Sequence, residues 1–232
     1  ESLVGDNAVL GLSLSYTSIS GNNSSYAYDG DSKLYQGTLY GKVDFANGIT
    51  LDGIMSAGLF DVSHKRYVSI GTTDYTLRSN QDAFTFSAEL GLGYAIPAGN
   101  IDITPRASLR YALVDFSPTT ETGGAPALMY DLGDYEALQS RVGATLTAKG
   151  SAVRPYITIN YVHDFDDRPG SFGANFVGGI GPNALFALNG TDKNWGEVSS
   201  GVTYSTGAFD ISVAAQTSFE RSDVETQTYQ GS

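Results

Sequence analysis

Apolar and polar positions alternate without a break from Phe84 to Ile96. Phe84, Phe86, Ala88, Leu90, Leu92, Tyr94 and Ile96 fall on one side of an extended chain. Thr85, Ser87, Glu89, Gly91, Gly93 and Ala95 fall on the other. Successive side chains of a strand point to opposite faces, so this period predicts a β-strand with one oily face and one small, polar face that carries a carboxylate. The run exceeds the roughly 9–11 residues that a tilted strand needs to cross a bilayer. The pattern recurs, predicting strands over 8–19, 33–45, 49–61, 82–96, 101–115, 136–148, 152–165, 195–205 and 208–220, with a last segment from Val224.

The links between these runs alternate in length. Short ones fall at 46–48, 97–100, 149–151 and 206–207; long ones cover 20–31, 62–81, 116–134 and 166–194. Short glycine-containing links are hairpin turns. Short turns on one rim and long loops on the other characterise outer-membrane barrels. The expected fold is therefore all-β, an antiparallel up-and-down transmembrane β-barrel with about ten visible staves. Loop 166–194 offers one more hairpin, 172–180 with 184–188, which would bring the count to 12.

A soluble barrel or sandwich is the competing architecture, because it turns its apolar face inward. The polar face bears on that choice. Lys42, Asp44, Asp52, Glu89, Asp102, Arg106, Arg110, Arg141 and Arg154 share it with Tyr156 and Asn160. Charges of both signs at mid-strand suit a polar lumen and would also suit a solvated outer wall; strand length and loop asymmetry favour lipid. Arg106 and Arg110 lie on one face of one strand, roughly 13 Å apart. Arg141 and Arg154 are expected to face the same space, with Glu89 and Asp102 opposite them. Buried charges need partners, so a crossed ion-pair network is expected, with Glu89 bound to Arg106 or Arg110.

Composition agrees. The 232 residues suffice for one large all-β domain, and 28 Gly, 15 Tyr and 11 Phe match small inward residues with aromatic girdles. The mean hydropathy of -0.13 and the lack of a long apolar run exclude a helical membrane protein. There is no cysteine, hence no disulfide or thiolate site, and the net charge of -12 argues against nucleic acid as a partner. The start, Glu1 to Asn7, has neither a basic n-region nor an apolar h-region.

The segments Gly5 to Tyr16, Leu90 to Tyr94 followed by Ile103 to Tyr111, Val153 to Ile157 with His163 to Phe165, and Gly196 to Tyr204 followed by Phe209 to Ala215 have the order and spacing of a known set of hairpins. In these, the chain resembles the translocator (β-barrel) domain of autotransporters, including those with GDSL-type esterase passengers. The resemblance implies a 12-stranded barrel with a helix threading its lumen. It implies type V secretion of an N-terminal passenger through the barrel and anchoring of that passenger at the cell surface. It also implies residence in the bacterial outer membrane, with lipid bilayer, lipopolysaccharide, the passenger's linker helix and the barrel assembly machinery as partners. Residues 1–232 then read as one translocator domain that lacks the family's linker helix, first strands and last residues. The polar-face residues named above become the lumen lining that contacts the linker.

Other chemistry is sparse, and no enzyme, cofactor or metal is expected. His64 and His163 are the two histidines, without partners at ligand spacing. Gly30-Asp31-Ser32 opens like an esterase block but lacks its downstream parts. Asn22 and Asn189 head formal glycosylation sequons. Asp164, Asp166, Asp167 and Arg168 form a charge run that suits solvent or a divalent cation near lipopolysaccharide phosphates. A self-contained porin or adhesin barrel acting through acidic long loops is the alternative function. A rim hydrolase using His163 and Asp164 is a third.

Overall fold

The computed structural model describes residues 2–3, 7–23, 28–150, 152–166, 170–179, 181, 183–187, 192–206, 209–221 and 227–231. Sixteen strands account for its regular structure: β1 (Ser2–Leu3), β2 (Ala8–Asn23), β3 (Tyr28–Asp44), β4 (Ile49–Ile70), β5 (Thr73–Tyr94), β6 (Ile96–Ala98), β7 (Ile101–Phe116), β8 (Thr119–Thr120), β9 (Leu128–Asp131), β10 (Asp134–Ala148), β11 (Val153–Asp164), β12 (Ser171–Phe176), β13 (Ala184–Ala187), β14 (Asn194–Ser205), β15 (Asp210–Phe219) and β16 (Gln227–Gly231). The main sheet follows the order β1-β2-β3-β4-β5-β7-β10-β11-β14-β15-β16, with β6 beside β7. Each neighbouring pair is antiparallel. The ten expected staves are β2, β3, β4, β5, β7, β10, β11, β14, β15 and β16.

Alternation sets the two faces. On β5 the odd residues Leu77, Ser79, Gln81, Ala83, Gly91 and Gly93 are buried and Glu89 is half-buried, while Phe84, Leu90, Leu92 and Tyr94 are exposed. Side chains from β5, β7, β10, β11, β14 and β15 line one cavity, so the sheet curls with its polar face concave. The convex face is oily, and Leu14 is 82% exposed. Exposed aromatics edge this face on both sides: Phe45, Tyr94, Tyr204 and Phe209 at the short-turn rim, Tyr16, Tyr35, Tyr135 and Tyr161 at the other. Such an exposed apolar surface exceeds what a monomer tolerates in water and matches the lipid belt of a membrane barrel. The soluble architecture, with its oily side chains inside, is set aside on this geometry.

Two expected loops are strands instead. The 62–81 segment continues β4 and β5 as one long hairpin that turns at Gly71, whose φ is +62. His64-Lys65-Arg66 reads as loop by composition, but every second residue still points inward, and a stave beyond the membrane need not end at membrane thickness. The 20–31 segment likewise extends β2 and β3, which places Gly30-Asp31-Ser32 in a strand. The extra hairpin in 166–194 forms, as β12 paired with β13, yet it adds no stave. It joins β9 and β8 in a separate sheet of order β13-β12-β9-β8. Its strands are only six and four residues long, too short to span a bilayer. Ile180, Leu188, Asn189, Asp167, Arg168 and Val224 lie outside the described residues.

The second sheet caps the long-loop rim. Residues between β7 and β10 fold back over the inner face of the β4–β5 extension. Arg78 N donates to Thr122 O at 2.9 Å and Thr122 N to Arg78 O at 2.8 Å. Glu121 accepts Arg66 Nε at 3.1 Å and Nη2 at 2.6 Å, and Leu128 N at 2.9 Å. Leu77, Thr119, Ala127 and Ala174 are buried in this region.

Two outcomes follow from this architecture. Leu90→Arg places a cation on the oily face and is expected to cost ~2–4 kcal/mol near the bilayer midplane, read by equilibrium unfolding in phospholipid vesicles; a cost under ~0.5 kcal/mol is that of a water-facing position. His64, beside Glu121, is held below its ordinary pKa of 6.5, first by burial, with Glu121 pulling the other way. Its neutral form belongs to the folded cap, so the associated stability is present above 6.5 and is lost as pH falls through the lowered value. The protection of residues 117–131 against hydrogen exchange, taken relative to the intrinsic rate at each pH, is expected to fall from pH 7.5 to 5, and His64→Gln to remove that fall.

Candidate functional site

The inner wall is organised in rows that run across the strands. One row is Ile54, Glu89, Arg110, Gln139 and Asp164; the next is Asp52, Gly91, Ser108, Arg141 and Val162; the third is Thr50, Gly93, Arg106, Gly143, Asn160 and Glu197. Gly91 and Ser108 make the middle row low. Long side chains from both flanking rows lean into that trough. Arg106 crosses Gly91 so closely that a Cβ there would collide with its guanidinium. It reaches Asp52 on β4 through Nε–Oδ1 at 3.1 Å and Nη2–Oδ2 at 2.5 Å. The same Nη2 lies 3.0 Å from Glu89 Oε1, and Nη1 donates to Ser108 Oγ at 3.1 Å.

Arg141 continues the chain of charge. Its Nη1 is 3.7 Å from Glu89 Oε2, its Nε 3.5 Å from Glu197 Oε2, and its Nη2 donates to Gln139 Oε1 at 3.1 Å. Glu197 Oε1 accepts Trp195 Nε1 at 3.1 Å, and the Arg221 guanidinium lies 4.5 Å above the Trp195 ring. Gln139 Nε2 donates to Asp164 Oδ2 at 2.9 Å. Asp52, Arg106, Glu89, Arg141 and Glu197 thus alternate in sign across β4, β7, β5, β10 and β14. The inner members are well shielded, with Arg141 and Glu197 side chains 12% and 13% exposed. At that depth each charge depends on its neighbours, since removing one strands the others.

The remaining polar-face residues lie elsewhere. Lys42 pairs with Asp44 at 2.9 Å, and Asp44 also takes the Thr50 hydroxyl at 2.7 Å. Asp102 pairs with Lys149 at 2.9 Å rather than facing Arg141 or Arg154. Arg154 is exposed and donates to Ser205 Oγ at 3.1 Å. These four sit within a few residues of short turns, so they belong to the rim and not to mid-height. Tyr156 lies over Gly201. Asn160 and Arg110 line a cavity with Glu89, Arg106, Arg141 and Glu197.

Glu197 is the residue that sequence reading missed. Its signal was available: Val198, Ser200, Val202 and Tyr204 face outward, so Glu197 had to face inward. Trp195 and Asp164 follow by the same parity. His163 and Asp164 point to opposite faces. His163 Nδ1 is 2.8 Å from Asn194 Oδ1 and its ring meets Phe165 edge-on, while Asp164 is buried on the inner side. They form no dyad. Among the described residues no cluster of His, Asp and Glu has the makings of a metal site.

Arg106→Ala is expected to lower stability by ~2 kcal/mol, less than a fully buried pair would because the side chain is 31% exposed. Gly91→Leu should cost a similar amount by expelling the guanidinium from its trough. The double variant is expected to be clearly less destabilised than the sum, measured as a double-mutant cycle in urea.

No curated protein matches the chain. Among solved structures, 20 chains match it. One is the translocator domain of autotransporter NalP from Neisseria meningitidis. It superposes with a TM-score of 0.74 at 15% identity, covering 98% of this chain and 74% of that one. At that identity the likeness bears on the fold, an all-β antiparallel barrel wall. Membership comes from sequence: the autotransporter beta-domain family matches residues 1–218. With an oily convex face, a charged concave face and unequal rims, the chain belongs to the autotransporter beta-domain family, the outer-membrane translocator domains of type V secretion.

Proposed function

We propose that this chain passes an extended passenger segment along its concave face, from the short-turn rim to the capped rim, and then retains a linker there. The observation that carries this reading is the belt from Asp52 to Glu197, polar and ionic across five strands and backed by an oily outer face. A wall of mutually paired charges suits a moving polypeptide. Each guanidinium can trade a wall carboxylate for a passing carbonyl or side chain, so no step leaves a charge bare.

In this reading Asp52, Glu89, Arg106, Arg110, Arg141, Tyr156 and Asn160 contact the linker at mid-height, and Lys42, Asp44, Asp102 and Arg154 guide it at the entry rim. The oily face sits in the bacterial outer membrane, with lipopolysaccharide against the aromatic edge at the long-loop rim. The barrel assembly machinery inserts the strands. The domain transports and anchors; it carries out no catalysis of its own, and requires no cofactor or metal.

A reporter domain joined ahead of Glu1 and expressed with a secretion signal in Gram-negative cells tests this. The reporter is expected to be cut by protease added outside intact cells, and the barrel to fractionate with the outer membrane and migrate heat-modifiably in detergent gels. A reporter that stays protected although the barrel is folded in the outer membrane overturns the translocation reading.

A further inference from the structure

Two cavities open on the concave face beside the belt, of about 280 Å3 and about 320 Å3. Arg110, Arg141, Glu197 and Gln216 wall both. Arg110 is half-buried, yet among the described residues it makes neither a hydrogen bond nor an ion pair. Its cross-strand neighbours are already engaged. Glu89 is turned to Arg106 and Arg141. Gln139 gives its oxygen to Arg141 and its nitrogen to Asp164.

Arg141 carries a second orphan. Its Nη1 is buried and has no hydrogen-bond acceptor among the described residues, with Glu89 Oε2 beyond hydrogen-bond distance at 3.7 Å. A buried donor left unmade is costly, and more so when it is charged. The one described carboxylate in the wall of the smaller cavity, Glu197, is already held by Arg141 and Trp195.

We propose that Arg110 and Arg141 form a carboxylate-binding subsite in the lumen, filled by an Asp or Glu side chain of the polypeptide that occupies the barrel. This rests on the translocation reading. A backbone carbonyl would answer the missing hydrogen bonds but not the charge. Two guanidinium groups that face one small, partly desolvated cavity repel each other and favour an anion. A carboxylate supplies two acceptor oxygens to the fork of Arg110 and a negative charge beside the guanidinium of Arg141, which walls the same cavities. The subsite gives the wall one point of preference in an otherwise self-paired belt. An acidic residue would halt there, so it marks where a linker comes to rest.

The full protein reconstituted in planar bilayers tests this through block of its open-pore current by hexaglutamate, hexalysine, or free glutamate at equal carboxylate concentration. Hexaglutamate is expected to block the native protein at concentrations about tenfold lower than Arg110→Gln requires, the loss of one charge-assisted contact. Arg110→Lys keeps the charge but not the fork and is expected to lose about threefold, which carries the comparison if the Gln variant does not fold. Hexalysine should not distinguish the three proteins. Equal block by hexaglutamate with and without Arg110 overturns the subsite and leaves translocation standing. Free glutamate that blocks as strongly as the peptide overturns occupancy by a polypeptide. A reconstituted protein with no current at all overturns the pore on which both readings rest.

Discussion

A strand that crosses hydrocarbon must pair every backbone N–H and C=O with a neighbouring strand, because no solvent is there to take them. The rest of this structure depends on that constraint. It forbids loops at mid-height, so the chain turns only beyond the oily band, tightly at one rim and at length on the other. It demands a curled sheet, and curling assigns the two faces of every strand to different surroundings. Period-two alternation then becomes compulsory: one residue faces lipid and the next faces the interior. A slip of one residue would turn Glu89 and Arg106 into lipid and Leu90 and Leu109 into the lumen, so the charges themselves hold the register.

Within that frame the inner wall is shaped by what it omits. Cross-strand neighbours on one face are about 4.5–5.5 Å apart. Arg106 to Asp52 nevertheless joins strands with another strand between them, and Arg141 to Glu89 does the same. Such long contacts need the intervening positions to be small. Gly91 and Ser108 meet that need, and Gly143 beneath Asn160 and Gly201 beneath Tyr156 repeat the arrangement. Gly91 is thus part of the ionic network, because the Arg106 guanidinium needs the space it leaves. At Gly91, Gly143 and Gly201 the missing side chain lowers the wall where Arg106, Asn160 and Tyr156 lie across it.

The staves were legible in the sequence because the constraint that makes them acts residue by residue. Ten runs of alternation, the order of long and short links and the direction of each side chain needed no tertiary information. The partners of the charges were legible only in part: Arg106 was one of the two expected for Glu89 and does bind it, whereas Arg141 was not expected there. Glu89 has Arg110 directly opposite, yet it binds Arg106 and Arg141, because the low row lets both lean toward it. Asp102 shares the polar face with Arg141 but lies at another height, and height depends on the stagger between strands rather than on parity. The continuation of β4 and β5 past the membrane was hidden by His64-Lys65-Arg66, whose polarity resembles a loop. There the alternation changes meaning, since inward residues such as Leu77 are covered by the cap instead of by lumen water.

The cap and the belt answer the same physical problem in opposite ways. At the long-loop rim, Glu121 is nearly enclosed and fully bonded, with Arg66 in two contacts and the Leu128 amide in a third. Every acceptor site that matters is filled from within, and the loop is fixed. At mid-height the ions share partners: Arg106 serves two carboxylates and Glu89 serves two guanidinium groups. Shared partners tie these ions into one network, in which Arg106 and Glu89 each answer to more than one neighbour. A loop held by its own bonds and a middle of shared ions suit the proposed reading, in which the wall keeps its shape while a polypeptide moves against it.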